Sequence, residues 1–308
     1  MEIPSFLHQV EFAQLRLTLE FQNEAQLPPG YLLRLRRELY QIGRQVLSPQ
    51  RFSELFEPLL PTDPQLLRTW QKPAPAFVFQ TTLTLTESTV SVGDELVLPL
   101  VLLGRGVPLL EDLLRVLDAL GRCGICHGQG HFELVQVTTL EADGTTRRLW
   151  RKGEKIGEWA PTLVEADWWL EQRPNGERCR LSWRTPARLM HAGKPLFRPD
   201  FVALLPFLLR RVGTVLGYWC GVENGIESGR LLEAGARLTV LEQAQRWQDW
   251  RTLDRTCSEQ PLGGVCGHLL FSGSDLPSLA WVLHFGALLN VGKGAAYGCG
   301  QYHLDFDA

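Results

Sequence analysis

The sequence lacks several features that would place it among membrane or secreted proteins. Its longest apolar segment, residues 201–220, is interrupted by Pro206, Arg210 and Arg211, and so falls short of the roughly 18 apolar residues that cross a bilayer. The chain starts MEIPSFLHQVEF, which contains an acid and no basic segment and argues against a signal peptide. Seven cysteines are an odd number without the spacing of a disulfide framework. These absences predict a cytoplasmic protein that does not act on membranes.

An excess of charge of either sign is also missing, since 31 basic and 34 acidic residues give a net charge of −3. That balance weakly disfavours a nucleic-acid ligand. Basic residues nevertheless cluster. Residues 178–211 contain eight basic residues and one acidic residue, Asp200, and residues 34–51 contain five arginines and one acidic residue, Glu38. A ligand meets the local surface rather than the whole-chain charge, so such clusters suit a phosphate-binding face. Solvated helix and strand surfaces are an alternative that composition leaves open.

Apolar periodicity predicts the order β-α-β-β-α-β in residues 1–141, the ferredoxin-like unit. The predicted strands are 10–21, 77–86, 96–103 and 132–139, and the predicted helices are 31–46 and 109–120. The proline-rich residues 48–75 predict an irregular segment.

The second half repeats this order less clearly. Its predicted strands are 179–189, 237–241, 265–271 and 301–306, and its predicted helices are 201–220 and 276–290. Residues 142–177 predict an inserted hairpin and linker between the domains 1–141 and 178–308. The sequence therefore predicts an α+β protein with two tandem ferredoxin-like domains.

Each half places glycines between its second helix and its last strand. The first half has LGRCGICHGQGHFELVQV and the second has LLNVGKGAAYGCGQYHLDF. Glycine permits a positive φ and a close backbone approach to a ligand, and Lys293 adds a charge suited to phosphate. The second loop is neither a Walker A loop, since Ala295 follows Gly294, nor a dinucleotide fingerprint, since it precedes a strand. We expect contact with an anion or an RNA backbone, and the alternative is a turn that only lets the last strand pair.

The end of the chain resembles a known family. Residues 262–304 read LGGVCGHLLFSGSDLPSLAWVLHFGALLNVGKGAAYGCGQYHL, which closely resembles the final signature of the CRISPR-associated endoribonucleases that cut precursor CRISPR RNA at its repeats. These enzymes belong to the RAMP superfamily. Parts of residues 96–141 and 181–220 resemble the same family less specifically.

The resemblance implies two ferredoxin-like domains, a basic face for repeat RNA and cleavage without a metal or other cofactor. In that reaction the ribose 2′-hydroxyl attacks the adjacent phosphate and leaves a 2′,3′-cyclic phosphate and a 5′-hydroxyl. The implied partners are CRISPR repeat RNA and mature guide RNA (crRNA), with other Cas effector subunits also possible, and DNA is not the primary ligand. A scaffold subunit that binds this RNA without cutting is the alternative.

Many members of the family carry a catalytic histidine in or just after the first helix, but this first helix has neither histidine nor lysine. The position where the histidine is expected is close to Arg44, and arginine is a poor general base. The candidate catalytic set taken from this helix is Tyr31, Arg34, Arg37, Tyr40 and Arg44.

The candidate RNA-binding residues come from the glycine loops and the basic clusters. They are Gly292, Lys293, Gly294, Gly298, Gly300, His127, Arg180, Arg184, Arg188, His191, Lys194, Arg210 and Arg211. A zinc site at Cys123, Cys126, His127 and His131 is a weaker alternative, because Cys-x-x-Cys is a half-site without a second pair at finger spacing. We expect His268, His284 and His303 to have packing or sheet-face roles.

Overall fold

The fold was analysed in a computed structural model of the chain. The structure describes residues 1–59, 73–81, 86–126, 128–141, 143–154, 160–222, 226–250 and 262–306.

The first half contains one β-sheet and the helices that accompany it. In chain order its elements are β1 Glu11–Phe21, β2 Ala25–Leu27, α1 Leu35–Val46, α2 Pro49–Phe56, β3 Phe77–Phe79, β4 Ser88–Val90, β5 Glu95–Leu103, α3 Leu110–Cys123, β6 Phe132–Leu140, β7 Thr146–Arg151, β8 Val164–Glu165 and α4 Ala166–Glu171. A 3-10 turn, Tyr31–Arg34, precedes α1.

The second half follows the same plan. Its elements are β9 Arg178–Trp183, β10 Met190–His191, β11 Lys194–Pro195, α5 Phe201–Cys220, α6 Ser228–Ala236, β12 Thr239–Trp250, β13 Leu262–Ser272, α7 Leu276–Leu289 and β14 Tyr302–Phe306. A 3-10 turn, Ala295–Tyr297, lies between α7 and β14.

Both sheets have the strand order of a ferredoxin-like domain. The first runs β3-β5-β1-β6-β7 and the second runs β12-β13-β9-β14, with antiparallel pairing throughout. Each domain therefore places its first strand between its third and fourth strands of the β-α-β-β-α-β unit. The predicted tandem ferredoxin-like fold is confirmed.

Alternation of side chains explains the two central strands. In β1, Leu15, Leu17 and Leu19 are buried, while the residues between them are more exposed. In β9, Cys179 and Leu181 are fully buried and alternate with Arg178 and Arg180. Successive strand residues face opposite sides of a sheet, so one face of each sheet packs on helices.

Helix α5 is the central helix of the second domain. Asp200 caps it by accepting a hydrogen bond from the backbone N–H of Ala203 at 2.8 Å, and Gly221 follows it in a left-handed conformation. By length and composition this 20-residue helix, with a mean hydropathy of 1.4, meets the requirement for spanning a membrane. However, 56% of that apolar window is buried within the protein. The burial is typical of a core helix.

Several boundaries differ from the sequence predictions. Residues 48–75 were predicted to be irregular, but Pro49–Phe56 forms α2, whose N-cap Ser48 accepts a hydrogen bond from the Arg51 N–H. The strand predicted for 77–86 ends at Phe79, and the short strand predicted at 237–241 is the twelve-residue β12. Within residues 142–177, β7 extends the first sheet beside β6, and β8 pairs with β1. The domain limits themselves stay a prediction.

His284 on α7 lies in an apolar environment where the domains meet. Its Nε2 donates to the carbonyl oxygen of Pro174 at 2.9 Å, and its ring stacks on Phe306 and contacts the edge of Trp169. Burial lowers the pKa of His284 to about 4. The histidine is therefore neutral in the folded protein at pH values where it is charged in the unfolded chain, which agrees with the expected packing role.

We expect His284 to make the folded protein less stable as the pH falls from about 6.5 to about 4. Between these values the unfolded chain binds a proton that the folded chain excludes, which costs up to ~1.4 kcal/mol per pH unit. The variant His284→Gln keeps an N–H donor and removes the titration. Denaturant unfolding across this pH range is expected to give a shallower loss of stability for the variant, and equal slopes would contradict the assignment.

Candidate nucleic-acid interface

The carboxyl-terminal glycine loop, residues 290–300, connects α7 to β14. Gly292, Gly294, Gly298 and Gly300 have φ values of 93°, 83°, 93° and 69°, and Asn290 has a φ of 55°. Side chains with a Cβ avoid this left-handed region, so the turn requires glycine at most of these positions. The loop exposes Lys293 at its tip and buries Gly298 and Gly300.

Close packing is the second reason for the glycines. A methyl group on Gly298 would collide with the side chain of Thr81 in the first domain, and one on Gly300 would collide with the Val291 carbonyl. A methyl group on Gly292 would lie 2.7 Å from the Arg188 carbonyl oxygen. Gly298 and Gly300, which are buried, are therefore needed for close packing in the interior of the protein.

A buried polar network ties the glycine loop to the first domain. The side-chain amide of Asn290 donates to the carbonyl oxygens of Phe79 and Ala295 at 2.9 and 3.0 Å. The amide of Gln80 donates to the Leu288 carbonyl and to Asn290 Oδ1, at 2.6 and 3.1 Å. Gln301 in turn donates to Gln80 Oε1 at 2.7 Å. Because these groups are largely removed from water, losing one partner leaves another unsatisfied.

The exposed side of the glycine loop borders a cleft of about 420 Å³ between the two domains, here called the interdomain cleft. Helix α1 contributes Arg36 and Tyr40 to it, and the second domain contributes the loop tip and part of α5. Its cationic lining residues are Arg36, Arg188, Arg210, Arg211 and Lys293. Among the described residues that line it there is no carboxylate. The cleft therefore concentrates positive charge.

Arg36 joins the two domains at this cleft. Its guanidinium carbon lies 5.4 Å from the ring centre of Tyr40 and 5.7 Å from that of Tyr297, which belongs to the glycine loop. Both distances suit cation–π contacts. Burial raises the pKa of Tyr297 well above its usual value, so this phenol stays protonated. Sequence reasoning left Arg36 and Tyr297 out of the candidate site.

Two family models match parts of the chain. Residues 181–302 match a family model described as the CRISPR-associated endoribonuclease Cas6, and residues 9–162, half of the chain, match a model described as an N-terminal domain. No curated protein sequence matches the chain significantly.

Solved structures share the fold across nearly the whole chain. A Thermus thermophilus Cas6 superposes with a TM-score of 0.54 at 16% identity, covering 96% of this chain and 99% of that one. A Cas6 solved as a product complex gives 0.54 at 21% identity, covering 96% and 100%. The chain belongs to the Cas6-like CRISPR-associated proteins.

A structure titled as part of a Cas6-RT-Cas1–Cas2 complex also matches, with a TM-score of 0.61 at 14% identity. The match covers 97% of the Cas6-like chain and 46% of the other chain, so the Cas6-like chain spans about half the length of that protein. At such identities these structural matches report the fold.

The five residues of the candidate catalytic set do not line one cleft in this Cas6-like protein. Tyr40 lies in the interdomain cleft, whereas Tyr31, Arg34 and Arg37 line a separate cleft of about 750 Å³. Arg44 lies 5.2 Å over the ring of Phe52 on α2. The single catalytic cluster predicted from the first helix is therefore not what the structure shows.

The 750 Å³ cavity, here called the amino-terminal cleft, lies between the start of α1 and the end of α3. Its wall includes Gly124, Cys126 and Gly128 of the first glycine loop. Burial, with a smaller contribution from Cys126, raises the pKa of Tyr31 to about 12, so its hydroxyl is protonated near neutral pH. His127 of this loop lies outside the described residues.

The predicted RNA-binding residues also separate into groups. Gly292, Lys293, Gly294, Arg188, Arg210 and Arg211 line the interdomain cleft. His191 and Lys194 face each other in the β10–β11 hairpin and are exposed. Arg184 is exposed after β9, and Arg180 pairs with Glu242 at 3.3 Å on the second sheet.

Three of the predicted RNA-contact residues make contacts within the protein in this structure. Gly298 and Gly300 are buried against Thr81 and Val291, and so offer no surface to a ligand. Arg211 donates from Nε and Nη2 to the Leu289 carbonyl oxygen at 3.3 and 3.0 Å, and burial lowers its pKa to about 10. It thus binds the end of α7, where the helix leaves carbonyls unpaired.

The zinc alternative has no support in the described part of the chain. There, no group of three or more histidine, cysteine, aspartate or glutamate side chains is placed to hold a metal ion. Cys123 and Cys126 line the amino-terminal cleft. His127, one of the four proposed ligands, falls outside the described residues.

We expect Gly298→Ala to destabilise the protein more than Gly93→Ala. Both glycines have positive φ, which costs a residue with a Cβ about 1–2 kcal/mol. A methyl group on Gly93 has open space, whereas one on Gly298 collides with Thr81 and adds an overpacking cost of about 1–3 kcal/mol. Denaturant unfolding of both variants measures the difference. Equal losses of stability would show that the loop does not pack on the first domain as described.

Proposed function

We propose that this Cas6-like chain is an endoribonuclease that binds CRISPR repeat RNA in the interdomain cleft and cleaves precursor crRNA. The observation that carries the proposal is the convergence of Lys293, Arg36, Arg188 and Arg210 on one cleft with no carboxylate among its described lining residues. Phosphates repel carboxylates and release counterions when they meet lysine and arginine, so this lining favours a nucleic-acid backbone.

The loop tip suits an RNA phosphate in two further ways. Lys293 is exposed, and its backbone N–H donates to the Arg188 carbonyl oxygen at 2.9 Å, which fixes the backbone of Lys293 against the segment that follows β9. Gly292 and Gly294 on either side have positive φ values, which turn the chain so that Lys293 lies at the exposed tip. A phosphate at this point would meet a lysine whose backbone is already ordered.

The reaction we propose is attack of a ribose 2′-hydroxyl on the adjacent phosphate. The bond from phosphorus to the 5′-oxygen breaks, and the products are a 2′,3′-cyclic phosphate and a 5′-hydroxyl. The transition state carries extra negative charge on the phosphate oxygens, which lysine and arginine stabilise. The 2′-hydroxyl loses a proton and the 5′-oxygen gains one, so the reaction consumes no other reactant, and we propose that it proceeds without a metal ion.

A non-cleaving RNA-binding scaffold is the second candidate function, and one observation favours it. The interdomain cleft contains no histidine among its described lining residues, and arginine rarely gives up its proton. Such a cleft binds RNA without supplying a base for the 2′-hydroxyl. Under either function, other Cas subunits are proposed partners, supported by the neighbour titled as a Cas6-RT-Cas1–Cas2 complex.

Incubation of the pure protein with labelled repeat RNA in EDTA separates the two candidates. We expect cleavage, with a cyclic phosphate on the upstream product, and we expect a 2′-deoxy substitution at the cut site to abolish cleavage while sparing binding. Tight binding without cleavage would favour the scaffold. If the protein neither binds nor cleaves the RNA, both functions are contradicted. Cleavage that is lost only when EDTA is present would contradict the metal-independent route.

Replacement of Lys293 tests the position of the RNA. We expect Lys293→Ala to weaken RNA binding and to reduce the slope of log K against log salt by about 0.7–0.9, the value for one lost phosphate contact. Lys152→Ala is the matched control, because Lys152 pairs with Glu133 on the first domain, away from the cleft. Fluorescence anisotropy titrations at several salt concentrations measure the slopes, and equal slopes for wild type and Lys293→Ala would place the RNA elsewhere.

A further inference from the structure

Strand β12 is the longest edge strand among the residues that the structure describes. It has twelve residues, whereas β14 at the other edge of the second sheet has five, and the edge strands β3 and β7 of the first sheet have three and six. Within the described part of the chain, β12 pairs with β13 alone. A long edge strand presents a row of backbone N–H and C=O groups to which another strand can bond.

The sequence of β12 does not prevent such pairing. Edge strands that avoid other chains carry lysine, proline or several like charges. Strand β7 is of that kind, since it contains Arg147, Arg148 and Arg151. Strand β12 reads TVLEQAQRWQDW, with neither lysine nor proline and with charges of both signs. It is therefore suited to a strand of complementary charge.

The charges of β12 complement those of a second copy of the same strand in one antiparallel register. Opposite residues of an antiparallel pair share a sheet face, so a two-fold axis normal to the sheet places one residue opposite its own copy. With Ala244 at the axis, Glu242 of each copy lies opposite Arg246 of the other. With Glu242 or Arg246 at the axis, like charges lie opposite each other, which is unfavourable.

The side chains that this register brings together are accessible. Ala244 and Arg246 are exposed, and the Glu242 side chain is 45% exposed. Arg246 forms no ion pair with any described residue. The two oxygens of Glu242 lie 2.9 Å from His268 Nε2 and 3.3 Å from Arg180 Nη2. A carboxylate has about four acceptor positions, so it also has room for the arginine of a second copy.

Apolar side chains flank the same edge. Leu241 is 50% exposed at the bulge where the register of β12 shifts. Phe197 is 55% exposed, and its ring centre lies 5.0 Å from that of Trp247. In the register centred on Ala244, Leu241 of each copy approaches Trp247 of the other. Removing these apolar groups from water would stabilise the pairing of the backbones.

We propose that two copies of this protein form a symmetric dimer in which their β12 strands pair antiparallel about Ala244. The two second sheets then become one continuous sheet. Each copy uses the same surface, so the contact closes at two copies. No residue of β12 lines the interdomain cleft, and the inference does not depend on the proposed endoribonuclease function.

Sedimentation velocity of the pure protein without RNA, from about 1 to about 100 μM, tests the proposal. We expect a reversible monomer–dimer equilibrium. Glu242→Arg and Arg246→Glu each put like charges opposite each other in both pairs, so we expect each variant to weaken the dimer about tenfold or more. Arg151→Glu, at an exposed arginine of edge strand β7, is the matched control and is expected to leave the equilibrium unchanged.

An equimolar mixture of the Glu242→Arg and Arg246→Glu proteins tests the register itself. In a mixed dimer the copy with two arginines meets the copy with two glutamates, so both pairs again join opposite charges. We expect the mixture, and the double variant Glu242→Arg/Arg246→Glu alone, to dimerise about as tightly as the unmodified protein. Recovery would also show that each single variant is folded.

Three results would overturn the inference. They are an unmodified protein that stays monomeric up to the highest concentration, a dimer that neither single variant weakens, and weakening that neither the mixture nor the double variant reverses. Because no RNA is present, each of these results leaves the endoribonuclease proposal standing.

Discussion

The packing of the glycine loop against strand β3 is the contact on which the interdomain cleft depends. Gly298 lies against Thr81, and Asn290 bonds to the backbone of Phe79. These contacts join the last helix of one domain to an edge strand of the other. Arg36 of α1 belongs to the first domain and Tyr297 belongs to the glycine loop. The contact of the Arg36 guanidinium with the Tyr297 ring therefore depends on the same packing of the loop against the first domain. The cleft forms where two separately folded sheets are held in one orientation.

The glycines of this loop have different roles that depend on how deeply they are buried. Gly298 and Gly300 permit close packing in the interior, whereas Gly292 and Gly294 are half-buried and provide the positive φ values on either side of the exposed Lys293. A rigid base and an accessible charged tip are both needed for a loop that orders a flexible polyanion, because an ordered site loses less entropy on binding. Arg211 contributes to the rigid part by holding the end of α7.

Local patterns predicted most of the fold, because the apolar periodicity of helices and strands and the residues that form turns involve positions close together in the sequence. The α2 helix was missed because its Ser-Pro start was read as part of a proline-rich segment. The site was harder to predict because it depends on long-range packing. Arg36 and Arg37 are adjacent, yet successive helix residues point about 100° apart, so they line different clefts.

Amide hydrogen exchange with and without repeat RNA is the most direct test of where the nucleic acid lies. The account predicts that RNA slows exchange in residues 188–190 and 292–297, which carry Arg188 and the loop tip, and in the neighbouring start of α1. Slowed exchange confined to other surfaces at saturating RNA, with the glycine loop unchanged, would contradict the assignment of the interdomain cleft as the RNA site.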